Sequence, residues 1–350
     1  MRLLTTTIGA YPKPAYTPVS DWFQAPQGPD TADPTADYER RLAAAGDAAE
    51  ALFLKATEAA VADQVAAGVD VPTDGEMRRE NYLHYHCRHL DGIDFGTLTA
   101  KALRGGAYTA ELPTVTGPIR AREHFLPRDY KAAQGFTDRP VKITVPGPMT
   151  IADTLVDGHY LDRRRLGADL ADALNAEILA LADAGCRWIQ LDEPVFARQP
   201  EAALAFGIEH LERCFHGVPP AVNRVVHMCC GYPDRLDRED YPKADPRAYF
   251  ELAEAVDQAA VTAVSIEDAH RPNELSLLDL FRRTKVILGV VAIAKSRVEP
   301  VDEIRARLRA ALDHIEADRL IAAPDCGLAM LGRARALEKL RNLCTAAHGL

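Results

Sequence analysis

The sequence predicts a (β/α)8 barrel of the TIM type with loop insertions on its C-terminal face. Short, apolar, β-branched segments recur eight times along the 350 residues. Longer amphipathic helical patterns separate them, and two Pro- and Gly-rich stretches follow directly after segments of the first kind. Continuous apolar runs of this length suit strands buried on both faces of a parallel sheet, and a strand–helix alternation sustained over about 300 residues points to a barrel, with a doubly wound sheet as the alternative.

In order, the expected strands are residues 3–8 (LLTTTI), 69–76 (VDVPTDGE), 141–147 (VKITVPG), 188–193 (WIQLDE), 224–229 (RVVHMC), 263–267 (AVSIE), 286–291 (VILGVV) and 320–326 (LIAAPDC). Amphipathic helices are expected over 38–67, 162–184 and 301–317. The last opens EPVDEIRARLRAAL, acidic early and basic later, which matches the helix dipole. Residues 13–37 read as a long loop after strand one, and 82–140 as an excursion after strand two in which LPTVTGPIR forms a small hairpin. Residues 1–350 are thus expected to be one barrel carrying two inserted loops on the face where barrel enzymes build their sites.

The formal net charge is −10 and the basic residues are scattered, so no cationic face is offered to nucleic acid. No stretch reaches the ~18 uninterrupted apolar residues of a membrane span, and the first residues lack the apolar core of a signal peptide. Seven cysteines, an odd number, read as reduced thiols and a cytoplasmic setting.

Polar residues crowd the strand ends: Asp74-Gly75-Glu76, Asp192-Glu193, His227-Met228-Cys229-Cys230, Glu267-Asp268 and Asp325-Cys326. Side chains two apart on a strand share a face, so His227 and Cys229 can reach one ion while Met228 and Cys230 turn away. Imidazole and thiolate are zinc's preferred ligands; Cys326 can add a second sulfur and Glu267 an oxygen. Separate core residues are the plain alternative for a lone His-x-Cys, and the matching strand ends of Glu267 and Cys326 weigh against it.

The segments TTTIGAYP, DGEMRREN, GPMTI, IQLDEP, HMC, SIE and PDCGL, in this order, resemble the catalytic domain of cobalamin-independent methionine synthase. The resemblance runs from residue 3 to about 330. It implies zinc held by His227, Cys229, Glu267 and Cys326, and the amino group of homocysteine held by Glu76 and Asp192. Three positions depart from the family pattern. Its IGS segment, also on the substrate side, reads Ile8-Gly9-Ala10, which loses a hydroxyl near the amino-acid carboxylate. The tryptophan against which folate packs is replaced within Ala152-Asp153-Thr154, leaving Trp22 or Tyr160 as aromatic substitutes. The IHSPR segment reads Ile293-Ala294-Lys295-Ser296-Arg297. Asp192 and Lys295 are the candidate catalytic groups.

The expected activity is transfer of an alkyl group, most simply methyl, onto a zinc-bound thiol. Homocysteine is the favoured thiol, methylfolate is a poor donor, and a methylcorrinoid is one candidate in its place. The alternative is an epoxyalkane–coenzyme M transferase, in which Lys13, Lys295 and Arg297 would answer the sulfonate. Glu267, a hard carboxylate, is the ligand expected to yield when a soft sulfur arrives.

Overall fold

The computed structural model describes residues 1–20, 23, 32–103, 108–233 and 235–350. Its strands are β1 (Leu4–Thr5), β2 (Leu90–Leu103), β3 (Tyr108–Ala121), β4 (Lys142–Pro146), β5 (Val156–Asp157), β6 (Trp188–Asp192), β7 (Asn223–Met228), β8 (Ala263–Glu267), β9 (Lys285–Val291) and β10 (Leu320–Pro324). Seven of them pair in the order β1-β10-β9-β8-β7-β6-β4, all parallel. Residues 69–73 fill the remaining gap: Thr6 bridges Val71 on one side and Thr73 bridges Lys142 on the other, again parallel. That makes eight staves and closes the barrel. The second stave is shorter than the expected 69–76 because Pro72 has no N–H to give and because Gly75 and Glu76 turn left-handed, at φ +72° and +57°.

Strand alternation sorts the side chains into two cores. The larger lies between staves and helices. The smaller, Ile8, Val71, Trp188, Val225, Ala263, Ile287, Ile321 and Ala323, fills the barrel lumen, with a residue from most staves. β4 is the exception: it contributes Lys142 and Thr144, both fully buried, where its neighbours contribute hydrocarbon.

The helix expected over 38–67 is two helices, Ala32–Ala45 and Ala48–Ala67, because Gly46 takes φ +50° between them. The first therefore starts inside the stretch read as the 13–37 loop; Trp22 lies outside the described residues. Helix Arg163–Asp183 agrees with expectation, with Asp162 capping the N–H groups of Arg164 and Arg165. The third, Val301–Ala311, ends earlier than expected. The excursion at 82–140 holds more structure than a small hairpin: helix Tyr82–Cys87, the antiparallel pair β2–β3 and helix Leu126–Gln134, with β5 from beyond it pairing parallel to β3. No helix among the described residues is long and apolar enough to cross a membrane.

Candidate metal centre

The register of the parallel staves lines up the rim. Asp192 of β6 pairs with His227 of β7, and His227 pairs with Ser265 of β8. The Ser265 hydroxyl lies 2.9 Å from His227 Nδ1. This bond fixes the ring and leaves Nε2, buried and without a hydrogen-bond partner among the described residues. His227, Cys229 and Cys326 each offer one ligand atom, and the three atoms lie within 4.8 Å of one another. An orphaned buried nitrogen beside two thiols is costly as it stands and suits a borderline-soft cation. A hydrogen bond from Cys326 holds Cys229 well below the usual thiol range, and His227 adds to the effect. Cys326, the donor of that bond, is held well above it. Burial opposes a charge on His227, yet Cys229 and Asp192 outweigh it and its pKa rises.

Glu267 stands beside this trio and not within it. Its Oε2 accepts from the Cys230 N–H at 3.1 Å, and its Oε1 is paired with the ammonium of Lys243. Burial and the nearby Asp325 raise its pKa, with Lys243 acting against them. Cys230 turns away from the trio as alternation requires, taking a 3.3 Å hydrogen bond from Arg271. Asp325, next to Cys326, is a brace: its carboxylate accepts from the N–H groups of Asp268, Ala269 and His270 and from His270 Nδ1. His270 Nε2 then accepts from the Ala294 N–H at 3.1 Å.

Glu76 and Asp192 are both buried on the same rim. The left-handed turn at Gly75-Glu76 sends the Glu76 carboxylate toward β4, where its Oε1 accepts from Thr144 Oγ1 at 2.8 Å. A Cβ on Gly9 would lie 2.4 Å from that same oxygen, so the site needs glycine there. Gln190 Nε2 donates to Asp192 Oδ1 and to the Ile8 carbonyl, both at 2.7 Å. Burial pushes the Asp192 carboxyl up to about 7. Ala10 faces the turn after β10, its carbonyl accepting from the Leu328 N–H at 2.7 Å. Ile8, Gly9 and Ala10 thus offer this rim backbone and space.

Lys295 is half-buried on the loop after β9 and makes no ion pair with the described residues, whereas Arg297 is engaged by Glu303 on the exposed surface. Asp153 lies 3.5 Å from Arg163 and accepts from Gln199 at 3.1 Å, and Thr154 closes its own helix through the Thr150 carbonyl. Tyr160 is committed to Asp169 and the Ile119 N–H. Sequence reasoning missed Lys243, Ser265, Gln190, Thr144 and Arg79. Ser265 and Gln190 stand two residues before Glu267 and Asp192, so alternation could have found them. Nothing local marks Lys243, which arrives from the loop after β7.

Residues 3–349 match the family described as "Cobalamin-independent synthase, Catalytic domain". A methionine synthase of Saccharolobus solfataricus is 33% identical over 349 residues, covering 97% of this chain and 92% of its own length. Another, from Sulfolobus acidocaldarius, is 28% identical over 344 residues, covering 97% and 90%. Among solved structures, a B12-independent methionine synthase from a Shewanella species, in complex with selenomethionine, matches with a TM-score of 0.85 at 29% identity, covering 99% of this chain and 97% of that one.

Proposed function

The chain belongs to the cobalamin-independent synthase catalytic-domain family, and from that premise we propose that it is a zinc-dependent methyltransferase converting homocysteine to methionine. The observation that carries this reading is the orphaned His227 Nε2 beside Cys229 and Cys326, on the rim that also bears two buried carboxylates. Zinc on that imidazole and those thiolates would stabilise the substrate's sulfur as thiolate, whose free pKa of ~8.5 or higher leaves it mostly protonated at neutral pH. Glu76 and Asp192 would accept the substrate ammonium, and the backbone at Ile8-Gly9-Ala10 would face its carboxylate. The sulfur–methyl bond forms as the donor–methyl bond breaks, and that electron pair leaves with the donor. Lys295 is the group we assign to the donor side.

Glu267, the fourth member of the expected ligand set, would have to leave Lys243 to join the other three, so the Lys243–Glu267 pair supports an exchangeable fourth position. The family's cobalamin-independent description weighs against a methylcorrinoid donor. The absence of an aromatic ring at 152–154 still weighs against methylfolate. The coenzyme M reading loses Arg297 to Glu303, and no observation favours it.

The test is turnover of the zinc-loaded protein with homocysteine and a panel of methyl donors, read as methionine by mass spectrometry, beside thermal shifts with homocysteine and coenzyme M. Methionine formed with any donor, and stabilisation by homocysteine, is the expected result. No methionine with any donor, together with stronger stabilisation by coenzyme M, overturns the proposal.

A further inference from the structure

Two buried basic side chains sit beneath the acidic pair: Lys142 is one neutral side chain away from Asp192, and Arg79 both pairs with Glu76 directly, Nη1 to Oε1 at 3.4 Å, and reaches it through Thr144. Lys142 Nζ, on β4 deep in the lumen, donates to Gln190 Oε1 at 2.6 Å, and Gln190 Nε2 passes on to Asp192 Oδ1 at 2.7 Å. Arg79 is likewise fully buried. Its Nη1 donates to Thr144 Oγ1 at 2.9 Å and its Nη2 to the Thr144 carbonyl at 2.9 Å; Thr144 Oγ1 then donates to Glu76 Oε1 at 2.8 Å. Lys142 and Thr144 lie two apart on β4, and Gln190 and Asp192 two apart on β6, with Thr144 opposite Gln190 in register. Alternation therefore turns all four toward the lumen.

We infer that Lys142 and Gln190 are positioning residues for substrate recognition: the buried lysine fixes which end of the Gln190 amide faces Asp192, and the amide aims that carboxylate at the ligand's ammonium. A glutamine amide has a donor end and an acceptor end; burial pushes Lys142 down to about 7, with Asp192 acting against it, and in its ammonium form it can only donate. With Lys142 below, Oε1 must point down and Nε2 up. Were the amide reversed, an oxygen would face Asp192 and repel it. The same Nε2 also holds the Ile8 carbonyl at 2.7 Å, so one amide sets two parts of the substrate rim. No apolar residue at 142 could do this, although every neighbouring stave places hydrocarbon in that lumen layer. On the Glu76 side the arrangement differs, since Arg79 lies 3.4 Å from the carboxylate itself as well as bonding to it through Thr144.

The inference rests on the reading that Asp192 meets the substrate ammonium, and the experiment separates the two. Equilibrium binding to the metal-loaded protein is measured by calorimetry for L-methionine and for 4-(methylthio)butanoate, which lacks the amino group. Asp192→Asn tests the underlying reading: methionine binding should weaken strongly while the deaminated analogue is spared. Lys142→Met and Gln190→Leu should each weaken methionine at least about tenfold, the scale of a lost or misdirected hydrogen bond to a charged group, with little change for the analogue. Gln190→Glu, which presents an acceptor to Asp192, should weaken methionine no less than Gln190→Leu. If Asp192→Asn discriminates between the two ligands and both Lys142→Met and Gln190→Leu bind methionine like wild type, the positioning role is wrong. Equal weakening of both ligands marks a merely structural role and also overturns it. If Asp192→Asn itself fails to discriminate, the recognition reading fails and the inference with it. Should Lys142→Met not fold, Gln190→Leu decides.

Discussion

On the β7 and β10 side of the rim, His227 is held from outside the trio by Ser265 at Nδ1 and Cys326 by the Gly327 N–H, and a buried nitrogen is left unmatched. On the β4–β6 side, Glu76 is already served by Thr144 and by Arg79 directly, and Asp192 by Gln190 with Lys142 behind it. On the proposed function, the first group would be completed by an ion, whereas the second is preorganised before any ligand arrives. A soft cation supplies most of the directional bonding its own ligands need, whereas a carboxylate meant for an ammonium must be aimed by the protein beforehand. The two halves should therefore fail independently.

The strongest break is Cys229→Ser or Cys326→Ser. Each should lower metal affinity at least about a hundredfold and abolish turnover, measured by atomic absorption after dialysis, while methionine still binds the acidic side. Loss of metal and of methionine binding together would show the halves to be one unit. Gly9→Ala attacks the other half: its new Cβ meets Glu76 Oε1 at 2.4 Å, so the carboxylate must swing away. Methionine affinity should fall some ten- to hundredfold with zinc content unchanged.

Acidity is the next lever. With the Asp192 carboxyl pushed up to about 7, its charge is largely absent at pH 6 and largely present at pH 8. Methionine affinity should accordingly rise about tenfold between those values and lose that slope in Asp192→Asn, as titration calorimetry would show. The smallest effect belongs to Cys230→Ser. Its sulfur turns to Arg271, so metal content should hold and stability change by only about 1 kcal/mol by thermal unfolding. A large loss of metal there would mean that the β7 register is misread.

Staves such as 286–291 (VILGVV) were legible because buried parallel strands write themselves as near-continuous apolar runs, and the more polar 3–8 and 69–76 because they fit the strand–helix rhythm. His227 and Cys229 were legible because alternation converts a two-residue spacing into a shared direction, and Cys326 because it stands at a matching strand end. The second stave was overextended because Pro72 and the left-handed turn at Gly75-Glu76 end its pairing early. The break at Gly46 was hidden by alanines on both sides, which favour helix whether or not it is continuous. The β2–β3 pair was underestimated because it is largely solvent-exposed, so burial does not imprint a clean alternation. Lys243 on Glu267 and Lys142 beneath Gln190 depend on contacts 24 and 48 residues apart in sequence, and composition says nothing about such meetings.

The Asp325 carboxylate has a mechanical consequence. By gathering the amides of residues 268–270 and, through the His270 ring, the amide of Ala294, it rivets the loops after β8, β9 and β10 into a single jaw. The bond from Leu328 to Ala10 fastens the turn after β1 to the same piece. This jaw cannot open loop by loop, and its amides should be among the slowest in the rim to exchange with deuterium. The loop after β7 is fastened to it as well, the Asp237 N–H donating to the Ala294 carbonyl at 2.8 Å and Arg271 to the Ala244 carbonyl at 2.6 Å, so on the proposed function accommodation of a methyl donor falls to an opposing jaw, the described part of the 82–140 excursion. Donors of different bulk would be sorted by how far that one jaw can swing.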